Sequence, residues 1–402
     1  MIYPPEAHGL VPEAISPAAR EVLQVLHQAG YQACLVGGGV RDLLLGRQPK
    51  DFDITTNATP EQVQALFRRC RLIGRRFRLA HVFVQREQIE VATFRSGEDA
   101  EQSSQGMIVR DNRYGTIAQD ALRRDFTLNA LYFNSLDGTL TDYAGGLPDL
   151  RQRVIRLIGD PRQRYTEDPV RLLRAVRFAV KLDCQLVPET EAPLWQLGHL
   201  LSAVPAARLT DEVLKLFMAG AAVRTFQRLD HYGLLAVLFR QTADRLAAEG
   251  DSIRPLIEQG LRNSDQRVAQ GLPITPAFLF AVLLWAPVQQ AAYQIQAQGI
   301  APYPALHQAA DRVLAEQNQM IALPRRFSAM TRDIWAMQFS FRTTKSRRAA
   351  RLVRHPRFRA AYDFMLLRAQ VGDVDRATAD WWTRYQAKHG PAPSRARRHR
   401  RQ

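Results

Sequence analysis

The stretch "LVGGGVRDLLLGRQPKDFDITTNAT" spans Leu35–Thr59. Three glycines precede two aspartates, Asp51 and Asp53, which are separated by one phenylalanine. Buried carboxylates are costly unless something pairs with them, so a strand that only packs has no use for this pattern. In a strand, side chains at i and i+2 share a face, roughly 6–7 Å apart. A strand "DFDITT" therefore sends Asp51 and Asp53 into one site and Phe52 into the core. Two such carboxylates repel unless a hard cation lies between them. Mg²⁺ accepts carboxylate oxygens while keeping positions open for phosphate, and a two-ion clamp suits in-line phosphoryl or nucleotidyl displacement. Upstream, Gly37, Gly38 and Gly39 lack β-carbons and let backbone N–H groups approach a triphosphate. Arg41 follows at the expected start of a helix, where cation and helix terminus favour anionic oxygens. Rival nucleotide motifs fail: a G-x-G-x-x-G beginning at Gly37 needs glycine where Asp42 stands, and no G-x-x-x-x-G-K-[ST] occurs.

Outward from this stretch, "AREVLQVLHQAG" reads as an amphipathic helix stopped by Gly30, and "YQACLVGG" as a strand. "VRDLLLG" reads as a short helix closed by Gly46. Thr59 is the N-cap and Pro60 the first residue of the next helix. Two β runs follow, "AHVFVQ" and "QIEVATF", with Glu90 on the second. The pattern predicts an α+β domain with a mixed sheet. A mobile loop is expected over 96–106. From "EDPVRLLRAVRFAVKL" to about residue 380 the spacing is helical. The expected division is 1–155 for a catalytic head, 156–225 for a helical neck that binds nucleotide and RNA, 226–385 for a helical body and C-terminal RNA-binding region, and 386–402 for a disordered basic tail.

The chain has 402 residues, a 46% hydrophobic fraction and a formal net charge of +16. Seventeen Lys and Arg against four Asp lie between Arg342 and Gln402, and such a block attracts polyanions. No apolar run reaches the ~18 residues of a membrane span, and no signal peptide is evident. Cys34, Cys70 and Cys184 stand far apart, which argues against a disulfide framework or zinc cluster and fits a reducing cytoplasm.

Five motifs occur in order: "LVGGGVRDLLLG", "KDFDITTNAT", "RRDFTLNALYF", "DYAGGLPDL" and "EDPVRLLRAVRFA". Their order and spacing resemble the class II tRNA nucleotidyltransferase and bacterial poly(A) polymerase family, within the polymerase-β-like nucleotidyltransferases. The wording "PKDFDITTNATPEQV", "CRLIGRRFRLAHV" and "HPRFRAAYD", with the basic terminus, resembles its poly(A) polymerase branch. The resemblance implies a polymerase-β-like head followed by a helical neck and body. It implies ATP as substrate, Mg²⁺ (or Mn²⁺) as the metal, and RNA 3′ ends as partners, with RNA-decay machinery or an RNA chaperone as further candidates. Asp51 and Asp53 would be metal ligands, and Gly38, Gly39 and Arg41 would hold the triphosphate. Arg124 and Asp125 would lie near sugar and phosphates. Asp168, Arg171 and Arg174, three residues apart on one expected helix side, would serve the nucleotide, with Asp168 and Arg171 reading the base. For the third catalytic carboxylate, Asp125 is preferred over Glu90.

Other residues carry less. His81 reads as a packed strand histidine, Trp381 and Trp382 as a docking anchor, and Asp373 with Asp375 as surface. The segment Arg75–His81 is an RNA-facing candidate. CCA addition to tRNA shares the catalytic motifs and is the close alternative. A non-catalytic RNA-binding protein that kept the fold is the distant one. No adjacent His-Asp dyad occurs, so a phosphohydrolase of that kind is not expected.

Overall fold

The computed structural model describes residues 1–74, 78–96, 101–102, 108–110, 113–342, 344 and 346–389, with backbone alone at 101–102, 108–110 and 346. The expected loop 96–106, the segment Arg75–His81 and the basic tail therefore fall partly or, beyond His389, wholly outside the described residues. Two compact units divide the chain, Met1–Leu200 and Leu201–Gln402.

The first unit is built on a mixed sheet. Its strands are β1 (Ile2–Tyr3), β2 (Ala33–Val36), β3 (Asp53–Thr56), β4 (Cys70–Ile73), β5 (Leu79–Val84) and β6 (Glu87–Thr93). β7 (Glu101–Gln102) and β8 (Ile108–Arg110) form a separate hairpin, followed by β9 (Leu131–Phe133), β10 (Leu140–Asp142), β11 (Val154–Ile155) and β12 (Gln185–Leu186). The main order is β1-β10-β9-β2-β3-β6-β5-β4. β3 and β6 run parallel, while the other neighbours in this sheet are antiparallel. The helix Pro17–Gln28 starts where Ser16 accepts the Ala19 N–H at 3.2 Å. Its spacing buries Ala18, Ala19, Val22, Leu23 and Leu26 on one face, each large aliphatic contributing about 1.5–3 kcal/mol. Thr59 caps Pro60–Leu66 through a capping box with Gln62. The expected amphipathic helix and the expected Thr59 cap are both present.

Two local expectations are corrected. β3 begins at Asp53, so Asp51 lies just before the strand, and the shared-face argument does not govern it. Phe52 bends onto Gly39, where an added Cβ would lie 3.5 Å from the phenyl ring and from the Asp51 carbonyl oxygen. The helix opens at Gly38 and ends at Leu44, which puts Arg41 mid-helix and buried. β11 pairs with β12 and ties residues 185–186 into the first unit.

"DYAGGLPDL" is an architectural joint. The Asp142 carboxylate accepts the backbone N–H groups of Ala144, Gly145, Gly146 and Leu147 at 2.8–3.0 Å. A Cβ on Gly146 would lie 2.1 Å from the Thr127 carbonyl oxygen, so no larger residue fits there.

The described part of the second unit is helical throughout. The long helix Arg240–Ala269 breaks at Glu249, and Gly260 packs where an added Cβ would meet both Val282 methyls at 2.8 Å. The apolar helix Pro276–Leu283 lies in its interior, and the next helix, Trp285–Gln296, buries Trp285, Pro287, Val288, Ala291 and Ala292. No single helix among the described residues is long and apolar enough to cross a membrane. Trp382 is fully buried and donates to the Phe341 carbonyl at 2.8 Å, as an anchor should. Asp373 accepts from Arg368 at 2.7 Å, and Asp375 accepts the Ala377 N–H at the start of Arg376–His389. Both are structural.

Candidate active site

β3 lies between β2 and β6, which sets Asp53 opposite Val36 on one side and Glu90 on the other. Burial first, then the neighbouring Glu90 charge, pushes the Asp53 carboxyl up to about 6, against the pull of Arg124. Asp51 is well exposed beside Lys50, at 3.8 Å. Gly37 turns the chain at φ +72°, a backbone region that favours glycine. A Cβ there would lie 3.8 Å from both Asp53 Oδ2 and Arg124 Nη1, so the glycine turn, one carboxylate and one guanidinium share a wall. His81 continues the row: it stands opposite Glu90 in β5, with Nε2 3.4 Å from the carboxylate.

Arg124 is aimed by a buried network that the sequence reading missed. Asp120 accepts from Arg124 Nη2 at 2.9 Å, from the Tyr132 hydroxyl at 2.8 Å and from Arg123 Nη2 at 2.8 Å. Burial opposes its ionisation, but Arg124, Arg123 and Tyr132 outweigh it and hold the carboxyl below its usual value. The only sequence signal was the four-residue spacing of Asp120 and Arg124.

Asp125, next in the chain, is fully engaged elsewhere. Oδ1 accepts the Phe126 N–H at 2.8 Å and the Asn129 amide at 3.2 Å, while Oδ2 accepts Arg174 Nε at 2.6 Å and pairs with its Nη2. Burial opposes the charge, yet Arg174, Asn129 and the Phe126 N–H bring the carboxyl down to about 2. Arg41 is also enclosed. It donates to Asp42 at 2.6 and 2.8 Å and to Asn129 Oδ1 at 2.6 Å. Arg41, Arg174 and Arg177 all lie over the Phe178 ring, at 5.2, 5.3 and 4.9 Å from its centroid. Arg41 thus braces Gly38, whose Cβ position is 3.4 Å from its Nη2, and it does so from inside the fold.

Asp168, Arg171 and Arg174 are not on one continuous helix. The helix Pro161–Glu167 ends at Asp168, which is extended, and a new helix runs Val170–Leu182 after Pro169. Proline disfavours helix in the residue before it, and that is the break. Asp168 accepts the Val170 N–H at 3.3 Å across Pro169, which is the N-cap of the second helix. Arg171 is buried and held by the Arg164 carbonyl at 2.7 Å and by Glu167 Oε2 at 3.3 Å. Glu167 also accepts Arg164 Nη1 at 2.9 Å, and Arg164 reaches the Arg124 carbonyl at 2.7 Å. Arg171 is therefore wired to the segment that carries Arg124. Glu167 and Arg164 went unread although "RYTEDPVR" contains both.

The sequence matches the profile of the poly(A) polymerase head domain over residues 33–156. Residues 184–246 match a probable RNA- and SrmB-binding site of polymerase A, and residues 298–402 its arginine-rich C-terminus. The chain is 48% identical to poly(A) polymerase I of Salmonella typhi over 97% of its own length and 86% of that protein. The chain belongs to the bacterial poly(A) polymerase I family. Members of this family are nucleotidyltransferases, and the chain is an enzyme of that class. A CCA-adding enzyme of Levilactobacillus brevis is 41% identical, but over only 50% of each chain. Among solved structures, the Bacillus stearothermophilus CCA-adding enzyme in complex with CTP superposes with a TM-score of 0.64 at 26% identity, covering 93% of this chain and 83% of that one. The poly(A) polymerase likeness runs through both units, whereas the CCA-adding sequence likeness covers half the chain.

Proposed function

We propose that the chain is a template-independent polynucleotide adenylyltransferase that transfers AMP from ATP to the 3′-OH of RNA and repeats the step to build a poly(A) tail. The supporting observation is the Asp53–Glu90 pair, which with Asp51 borders the glycine turn at Gly37–Gly39 and faces Arg124.

The crowding fits a divalent cation. Asp53 is pushed up to about 6 because burial and Glu90 oppose its charge, and a cation would relieve both. Mg²⁺ takes one or two carboxylates and completes its shell with water and substrate phosphates; Mn²⁺ is the alternative. Asp51 and Asp53 would hold it, and when bound it supplies Lewis-acid charge at the α-phosphate and the attacking oxygen. Glu90, rather than Asp125, is the third carboxylate in this reading, because Asp125 is already committed to Arg174 and Asn129.

The chain's own residues do the rest. The N–H groups of Gly38 and Gly39 and the guanidinium of Arg124 face the triphosphate, with Arg41 bracing the turn from behind. The RNA 3′ oxygen attacks the α-phosphorus, its proton is lost, the bond to the β-phosphate oxygen breaks, and pyrophosphate leaves. Asp125 and Arg174, locked as a pair, border the ribose and base. Asp168 and the clamped Arg171 read the base edge. The substrates would be RNA 3′ ends in the cytoplasm, with RNA-decay machinery or an RNA chaperone as partners.

CCA addition to tRNA is the second reading, favoured by the shared fold and by sequence likeness over half of the chain. The test is Asp53→Ala in the full chain. AMP incorporation should fall by at least ~10³-fold while RNA binding persists; incorporation near the parental rate would end the assignment.

A further inference from the structure

A groove of about 420 Å³ in the second unit is lined by Tyr303, Phe339, Ser340, Arg348, Arg351, Leu352 and His355, with no carboxylate on its walls. Tyr303 lies in the first turn of the helix Pro302–Met320 and is half exposed. Phe339 and Ser340 close the helix Arg325–Ser340, Arg348 and Arg351 sit on Ser346–Val353, and His355 follows. The tyrosine ring meets Phe339 at 5.8 Å and His307 at 4.6 Å, both edge-on. Among the described residues no ring stacks face to face on Tyr303, and its hydroxyl has no hydrogen-bond partner. Arg348 and Arg351, three residues apart on one helix face, are exposed and make no ion pair among the described residues.

We infer that this groove holds single-stranded RNA, with one base stacked on Tyr303 and the flanking phosphates on Arg348 and Arg351. A half-exposed aromatic ring beside uncompensated guanidinium groups is the chemistry by which a single strand is gripped without regard to sequence. A duplex keeps its base faces stacked internally and offers nothing to the ring. An acidic peptide would satisfy the arginines and leave Tyr303 without a role. The inference rests on RNA being the polymer handled, and it adds a defined stacking site within the arginine-rich match of residues 298–402.

The test is the affinity of the full chain for a labelled r(A)12 strand and for a duplex of equal length. Tyr303→Ala should weaken r(A)12 binding about tenfold and leave duplex binding unchanged. Tyr303→Phe should restore it, since the ring and not the hydroxyl carries the interaction. The pair Arg348→Gln and Arg351→Gln should lower the salt slope of binding by about 1.4, roughly 0.7 for each phosphate no longer neutralised. Unchanged r(A)12 affinity in Tyr303→Ala, or an equal loss on the duplex, would overturn the stacking site. So would weakening by the arginine changes alone, which would leave only a polyanion patch. The readout is binding, so absence of AMP transfer by the parental chain would sink the adenylyltransferase reading without touching this one.

Discussion

Asp53 and Glu90 stand opposite each other on adjacent parallel strands, and among the described residues neither has a guanidinium hydrogen-bonded to it. Arg124, whose charge acts on Asp53, is spoken for by Asp120 and Tyr132. Two carboxylates held this way make an electrostatic cost in the folded chain that a bound cation removes.

That cost has a pH signature. The ordinary Asp53 value is 3.8 and the folded one about 6, so the folded state binds the proton more readily. The penalty is absent below about pH 3.8 and grows to its full size as pH rises through 6. Its upper size is about 3 kcal/mol. At pH 7.5 without divalent metal, Asp53→Asn should be more stable than the parent by about 1–3 kcal/mol in urea unfolding, an advantage that vanishes near pH 4. Millimolar Mg²⁺ should raise the melting temperature of the parent and leave Asp53→Asn nearly unmoved.

The Asp125–Arg174 pair gives a coupling. Asp125→Asn should raise the KM for ATP about tenfold or more, and Arg174→Ala should do likewise. The double variant should be little worse than either, with a coupling of about 1–3 kcal/mol in a double-mutant cycle. Additive losses would mean that the two act separately. Because Asp125 is depressed from 3.8 to about 2, the pair's contribution to stability is present above pH 4 and lost as pH falls through 2.

Glu167 holds Arg171, so it should control which base is accepted. Glu167→Gln should fold and bind RNA, while the preference for ATP over CTP in kcat/KM narrows about tenfold. An unchanged preference would place base choice elsewhere.

Gly146 and Gly145 separate two reasons for glycine. Gly146→Ala drives a methyl into the Thr127 carbonyl and should cost about 3 kcal/mol or more, or prevent folding. Gly145→Ala meets nothing within 4 Å but must adopt φ +79°, which costs about 1–2 kcal/mol. Thermal unfolding of the two proteins orders them.

The glycine turn, a strand that carries Asp53 and the cap at Thr59 were legible because they rest on local chemistry. What stayed hidden depends on partners far away in the chain. Arg41 looked like an exposed phosphate ligand, but Asn129, 88 residues on, takes one of its nitrogens, and Phe178 covers it. Asp125 reads as catalytic from its motif, and the motif does not show that Arg174, 49 residues on, is its partner. Glu90 could be suspected from its strand, but only the register of β3 against β6 sets it beside Asp53.

The central claim is tested most directly by offering the purified chain ATP, CTP, GTP or UTP singly, with a generic RNA primer and with a tRNA lacking its CCA end. Long ladders on the generic primer with ATP alone are predicted. Addition that stops at three nucleotides, occurs only on the tRNA and requires CTP would contradict the account.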